Sequence, residues 1–401
     1  MKRDQQLALI ERTRRHIDAR STEREPGCFR TPVALYDDPA LLEAERASLF
    51  RRYPLAIATS DRIAAPGDWI THDRTGVPIL LLRDADGRAR AYLNACRHRG
   101  ARLAGPPDGR PAGGSGARAF ACPYHAWTYG LDGRLAALPH GHGFPDLEAA
   151  RCSLTALPVT ERAGIVFVTP STDPAVDADA WLDPILADLE NWNLQGHTAY
   201  APKTPHIAAN WKFQMEGSME TYHFRHAHRQ TIAGMFFDAL SVFDRFGPHM
   251  RLFLPKKEIR GMDPAALPAE MREPIRIAGN ILYVIFPNTI VLVQPDHAQL
   301  NTVWPLDPGR SVIEACMMVP QAPATEKARR HWDRNSDIFW AAIREDYEMM
   351  ESMQSTLRSG ANADLVFAEF EHSVRWFHEA MAQAMGATPG YLQAAERAGA
   401  A

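Results

Sequence analysis

Residues 96–103 read CRHRGARL, and residues 122–130 read CPYHAWTYG. Each stretch sets a thiol and an imidazole two or three positions apart beside turn-forming Gly or Pro, so each is read as a tight loop presenting both groups to one point. Together they offer two thiolates and two imidazoles, a donor set suited to first-row metals. The surrounding sequence has the texture needed to bring two such loops together. From about residue 30 to 170, Gly and Pro recur between short β-prone runs such as PILLLR (78–83), RAFAC (118–122) and GIVFVTP (164–170), the pattern of a small, loop-rich β domain. GPPDGRPAGGSG (105–116) is dense in turn formers and reads as an exposed excursion between the loops.

A structural zinc site accepts the same ligand types, and a zinc-binding interaction module is therefore one reading. Zinc sites usually use C-x2-C or H-x3-5-H pairs, however, whereas C-x-H followed by C-x2-H is the arrangement of a Rieske 2Fe-2S centre. There two Cys hold one iron and two His hold the other. Charge explains the mixed ligation: with neutral imidazoles the oxidised cluster and its ligands are uncharged, whereas four thiolates leave it anionic, and the less anionic cluster accepts an electron more readily. Arg97, Arg99 and Arg102 then either bond to neighbouring groups, offer a docking face to an acidic partner, or are solvated loop charges.

Past residue 170 the pattern changes. DADAWLDPILADLENWN (177–193) carries apolar residues at helical spacing after Asp residues suited to a cap. Further on, β-prone runs (NILYVIF, TIVLVQP, VIEACMMVP) precede a long helical region over 324–359 and a final helix over about 363–385. That order predicts an α+β domain, an antiparallel sheet flanked by helices. The expected organisation is an N-terminal helical segment (1–30), a small β domain (31–170), a larger catalytic domain (171–390) and a flexible tail (391–401).

The chain has 401 residues, 46% hydrophobic and 23% charged, with a net charge of −4. It therefore lacks the basic field of a nucleic-acid binder or a membrane-surface protein, and neither partner is expected. Five scattered cysteines make no disulfide framework, which points to the cytoplasm. The N-terminus shows no secretory signal. The most apolar window, GNILYVIFPNTIVLVQP (279–295), is interrupted by Pro287-Asn288 and reads as two strands joined by a turn.

A second constellation lies in NWKFQMEGSMETYHFRHAHRQ (210–230), with His223, His226 and His228. Imidazole clusters with nearby carboxylates suit a first-row metal. On a regular helix His223 and His226 share a face, while His223 and His228 stand about 140° apart. Geometry alone thus favours the 223/226 pair unless the helix is broken. Glu220, three residues before His223, is placed to accept its second ring N–H. Two His need a carboxylate to complete a triad that leaves positions open. The best distant source is FWAAIREDYEMMESMQSTL (339–357), where Glu345, Asp346, Glu348 and Glu351 ride one helix; most should face solvent and one inward carboxylate suffices.

In order along the chain, CRHRGARL, CPYHAWTYG, NWK, ETYH with a His five residues on, and EDYEMMESMQ resemble the Rieske non-haem iron oxygenases, specifically their catalytic α subunit, over roughly residues 30 to 385. The resemblance implies a helix-grip, START-like catalytic domain. It assigns Cys96 and Cys122 to one cluster iron, His98 and His125 to the other, and His223, His228 and Asp346 to a mononuclear Fe(II), choosing His228 over His226. It places Glu220 as a bridge for electron transfer between subunits, where the family usually has Asp; Glu resembles the branch acting on carnitine and related quaternary ammonium compounds. It further implies a homotrimer, dioxygen as co-substrate, and electrons from NAD(P)H arriving through a separate reductase or ferredoxin. No phosphate-binding loop or G-x-G-x-x-G is present to bind the nicotinamide directly. Oxidative demethylation or hydroxylation of a small, N-methylated substrate is the expected activity, aromatic ring hydroxylation the alternative, and a Rieske electron carrier without oxygenase chemistry the alternative of another class. Phe236, Phe237, Phe243, Phe246, Tyr283 and Phe286 are candidate pocket walls or core, and Glu216 a candidate source of charge complementarity or an outer polar residue.

Overall fold

The computed structural model describes residues 1–386. Residues 391–401, read from sequence as a tail, lie outside the described residues. Two compact units emerge, one of residues 46–183 and one of residues 1–45 with 184–386. The β unit thus begins well after residue 31 and runs past 170.

The unit at 46–183 is built from short antiparallel strands, as its turn-rich sequence requires. Ile79–Arg83, four apolar residues and an arginine paired with Glu161, is buried along its whole length at the centre of a five-stranded sheet. It pairs with Trp69–His72 on one side and Ala89–Leu93 on the other. The Gly-rich excursion is mostly exposed, but Gly113–Gly114 returns to pair with Trp69–His72. A three-stranded sheet of Ala119–Ala121, Thr128–Gly130 and Leu135–Ala137 carries the second Cys/His loop at its first turn.

The other unit is organised around an antiparallel sheet in the order Thr198–Lys203, Arg310–Val319, Ala298–Asp307, Thr289–Val293, Gly279–Ile285, His249–Pro255 and Val242–Phe246, with His206–Ile207 also on Arg310–Val319. The 279–295 window is two strands joined by a turn containing a cis Phe286–Pro287 bond. The helix Glu326–Thr356 starts at Thr325, whose hydroxyl accepts the Ala328 N–H. It packs against the short helices Trp211–Gly217 and Phe224–Ala227, which sets its carboxylates over the His segment. The final helix begins at His372, not 363. Residues before it form the strand Asp364–Phe367, which pairs with Phe29–Pro32 and brings the Phe29 and Phe367 rings to 5.9 Å. A partner near the opposite end of the chain decides that strand, so local periodicity could not. Among the described residues no helix is long and apolar enough to cross a membrane.

Candidate metal centres

The two Cys/His loops share one backbone scheme. Cys96 N–H donates to Ala101 C=O and Cys96 C=O accepts from Gly100 N–H; Cys122 N–H donates to Trp127 C=O and Cys122 C=O accepts from Ala126 N–H, all at 2.8–2.9 Å. The residue four after each Cys has a positive φ, +75° at Gly100 and +57° at Ala126. These closures turn the chain back on itself within five residues, so each loop carries its Cys and its His on one tight turn.

Cys96 and Cys122 are 4% and 5% exposed and share a core with Trp127 and Tyr129. The His98 and His125 rings stand 4.8 Å apart, with His98 half-buried and His125 exposed. His98 stacks on Trp127 at 4.8 Å and 7°. The site is therefore polarised: a dry thiol side and an imidazole side facing outward. Partial desolvation, then the charges of His98 and Arg99, lower the His125 imidazole from its ordinary value, favouring the neutral form a metal ligand needs. Tyr129 hydroxyl lies 3.3 Å from Cys96 Sγ and accepts the Arg97 N–H at 3.0 Å. Both Cys are free. Two buried thiols, two outward imidazoles and a phenol donor at sulfur suit a mixed-ligand 2Fe-2S cluster. Of the arginines, Arg102 pairs with Asp73 through both nitrogens at 3.0 Å, Arg97 donates to Thr155, and Arg99 lies over the exposed Tyr124 ring at 5.1 Å.

In the larger unit, NWK anchors the approach to the second site. Asn210 caps the helix Trp211–Gly217 by accepting the Lys212 N–H. Trp211 Nε1–H and Lys212 Nζ both donate to the buried Glu45, at 2.7 and 2.8 Å. The helix ends before Glu220, and the next, Phe224–Ala227, is a single turn flanked by His223 and His228. This break reverses the expectation from helix geometry: His226 is exposed, whereas His228 is 2% exposed and faces His223, ring centres 5.0 Å apart.

Asp346 Oδ1 lies 3.1 Å from His228 Nε2 and 3.5 Å from His223 Nε2. Donors about 2.1 Å from one ion in neighbouring positions stand about 3 Å apart, so these three atoms fit one metal. One donor atom from each residue lies within 4.8 Å of the others. The remaining ring nitrogens face carboxylates, His223 Nδ1 contacting Glu220 and His228 Nδ1 meeting Glu345 Oε2 at 3.0 Å. Such outer carboxylates fix the ring orientation and raise ligand basicity. Burial opposes a charged His223, but Glu220, Asp346 and Glu371 outweigh it and raise its pKa; at His228 burial is likewise outweighed, by Asp346 and Glu345. The excess of carboxylate over imidazole favours a divalent cation. Burial pushes nearby Glu371 up to about 7.

A cavity of about 160 Å³ opens beside His223, His228 and Asp346, walled by Phe224, Phe236, Leu282 and Phe339. Of the aromatic residues suggested by sequence, only Phe236 reaches it. Phe237 lines a different groove, Phe243 packs on His372, Phe246 lies under Arg251, Tyr283 donates to Asp188 and Phe286 packs near Phe377. Glu216 is buried and accepts from Tyr36 at 2.7 Å, with His378 Nε2 at 2.9 Å, so it serves a structural network. Sequence reasoning passed over Phe224 and Phe339, which lie inside the two quoted motifs, and gave Glu345 no role of its own.

Residues 54–148 match the Rieske [2Fe-2S] domain family, and residues 189–387 match the ring hydroxylating alpha subunit (catalytic domain) family. The chain is 26% identical over 388 residues to the glycine betaine monooxygenase oxygenase subunit of Chromohalobacter salexigens, covering 86% of this chain and 83% of that protein. It is 25% identical over 368 residues to the carnitine monooxygenase oxygenase subunit of Escherichia coli, covering 88% and 92%. A solved quaternary ammonium Rieske monooxygenase, described for carnitine oxidation and inter-subunit electron transfer, superposes with a TM-score of 0.73 at 21% identity, covering 89% of this chain and 96% of that one.

Proposed function

The chain belongs to the Rieske non-haem iron oxygenases, and from that premise we propose that it oxidatively demethylates a small quaternary or N-methylated ammonium compound. It is the oxygenase component of a multicomponent system, an oxidoreductase whose family cofactors are a Rieske 2Fe-2S cluster and a mononuclear iron. When bound, these groups relay electrons and activate dioxygen.

The observation that carries the reading is the convergence of His223, His228 and Asp346 beside a small cavity with aromatic walls. In this reading Cys96, His98, Cys122 and His125 hold the cluster and those three residues hold the mononuclear iron. Glu220 and Glu345 orient the two imidazoles from behind. The cavity is smaller than the ~300–1,000 Å³ of drug-sized sites and suits a compact substrate. Phe224, Phe236 and Phe339 offer aromatic faces to an alkylammonium group, each contact contributing about 0.5–2 kcal/mol.

Glu220 also lines an open groove whose rim includes the half-exposed Met349, Met353 and Val366. An apolar rim around an outer carboxylate supports assembly at this face, and we assign it to a homotrimer in which Glu220 passes electrons from a neighbour's cluster. Electrons enter from a separate reductase or ferredoxin. The scattered cysteines support a cytoplasmic setting.

The test is anaerobic reconstitution followed by turnover with NAD(P)H and a compatible reductase. About three iron and two sulfide per chain, and formaldehyde released from glycine betaine or carnitine, are expected. A chain that binds only the cluster, or that oxidises arenes and no methylated amine, refutes the reading.

A further inference from the structure

The sheet face that floors the cavity is not uniformly apolar. Leu254 pairs with Asn280, and Leu282 pairs with Leu292. One step beyond the pair Ile281 and Val293 brings Gln294 opposite Asn280, and two residues beyond Leu254 on the same face is Lys256. Leu254, Leu282 and Leu292 thus form an apolar floor, with Lys256, Asn280 and Gln294 at one end of it. All six line the cavity.

Among the described residues, two acceptor atoms at that polar end lack protein partners. Asn280 Oδ1 and Gln294 Oε1 are buried and accept no hydrogen bond among the described residues. Lys256 is half-buried, and its ammonium stands 5.9 Å from the Phe236 ring centre. The acids that act on it are Glu258 and Asp296, and Asp296 is engaged with His297 and His331 at 2.7 Å. Burial lowers the Lys256 pKa from its ordinary value despite those acids. Buried polar groups are ordinarily paired; the Lys256 ammonium is the donor that suits an anion, and each amide presents its NH2 to that anion after a half-turn about its terminal bond, which exchanges the unpaired oxygen for a donor.

We propose that the substrate carries a carboxylate, received by Lys256 with Asn280 and Gln294 beside it, and that Lys256 sets the preference for acids over their methyl esters. With the acid at Lys256, the other end of the substrate lies towards the metal ligands, where the aromatic faces of Phe224 and Phe339 receive a methylated ammonium. The inference rests on reading this cavity as the oxygenase substrate site. The ammonium identity of the other end is a separate question.

The test uses the metal-loaded enzyme and matched pairs: glycine betaine against its methyl ester, and benzoate against methyl benzoate. Anaerobic equilibrium binding and steady-state turnover are both read. Wild type is expected to favour the acid of whichever pair it accepts. Lys256→Met should weaken acid binding at least tenfold, raise KM more than it lowers kcat, and leave the ester unchanged, while Lys256→Arg restores acid preference. Gln294→Leu should weaken the acid in the same direction. Equal effects of Lys256→Met on acid and ester, or a wild type indifferent to the pair, overturn the proposal. Preference for benzoate with no binding of either ammonium compound supports the role of Lys256 and refutes the ammonium reading above.

Discussion

Glu345 holds His228 from behind, its Oε2 3.0 Å from Nδ1, while the adjacent Asp346 meets Nε2 of the same ring at 3.1 Å. Consecutive residues of one helix thus grip opposite nitrogens of one imidazole, and Thr231 hydroxyl donates to the same Glu345 oxygen at 2.5 Å. Removing such an outer partner typically weakens metal binding by about 10–100-fold. Glu345→Ala should therefore lower mononuclear Fe(II) affinity by about that factor and leave the cluster absorbance unchanged. Competition with a chelator measures the first, the visible spectrum the second. Unchanged affinity refutes the positioning role.

The same geometry separates two histidines that local periodicity ranks the other way. His226 is exposed, and His228 is buried against Asp346. His226→Ala should retain one mononuclear iron and most turnover, whereas His228→Ala should lose both while keeping the cluster. Metal analysis of the two variants decides the assignment, and the reverse pattern would restore the regular-helix reading.

These outcomes bear on what a sequence makes legible. The Cys96/His98 and Cys122/His125 loops were readable because each is closed by hydrogen bonds within five residues. His228 was not derivable from helical spacing, because the helix Phe224–Ala227 is one turn long and the carboxylates that His228 meets come from the distant helix Glu326–Thr356. Glu345 was hidden because four carboxylates on one exposed-looking helix carry no local mark of which turn inward. Phe224 and Phe339 depend on the meeting of two segments far apart in the chain. The strand Asp364–Phe367 exists only through pairing with Phe29–Pro32.

The matched loops give a paired test of backbone strain. A Cβ added at Gly100, φ +75°, would meet nothing within 4 Å, so Gly100→Ala tests conformation alone. The left-handed region costs a non-glycine residue about 1–2 kcal/mol, so Gly100→Ala should destabilise the unit by about that amount. Ala126, at φ +57°, already bears that cost. Ala126→Gly should be neutral or stabilising by up to about 1 kcal/mol after the added unfolded-state entropy. Urea denaturation of both variants measures the contrast, and equal destabilisation by the two would contradict it.

Asp296 supplies a pH dependence. Its carboxylate meets His297 Nδ1 and His331 Nε2, each at 2.7 Å, and the His297 hydrogen bond first, then His331, lowers its pKa to about 2 from 3.8. A depressed folded-state pKa stabilises above the unfolded value and is lost as pH falls through the folded one. The side chain is 43% exposed, so screening reduces the contribution to about 1 kcal/mol. Asp296→Asn should destabilise by about that amount at pH 7, the gap to wild type closing between pH 4 and pH 2. A constant gap across that window would show that the carboxylate charge is not its source.

Tyr129 is expected to tune the cluster. Its oxygen accepts the Arg97 N–H at 3.0 Å, which leaves the phenolic proton to point at Cys96 Sγ, 3.3 Å away. The ring is wholly buried, so water does not replace this donor. A hydrogen bond to a ligand sulfur withdraws electron density and favours the reduced, more negative cluster. Tyr129→Phe removes the donor with almost no change of shape and should shift the midpoint potential to more negative values while iron and sulfide content stay constant. Turnover should slow in proportion when electron entry limits the rate. Spectroelectrochemical titration reads the potential directly. An unchanged or more positive midpoint in a fully loaded variant would mean that the phenol serves the Arg97 amide and not the sulfur.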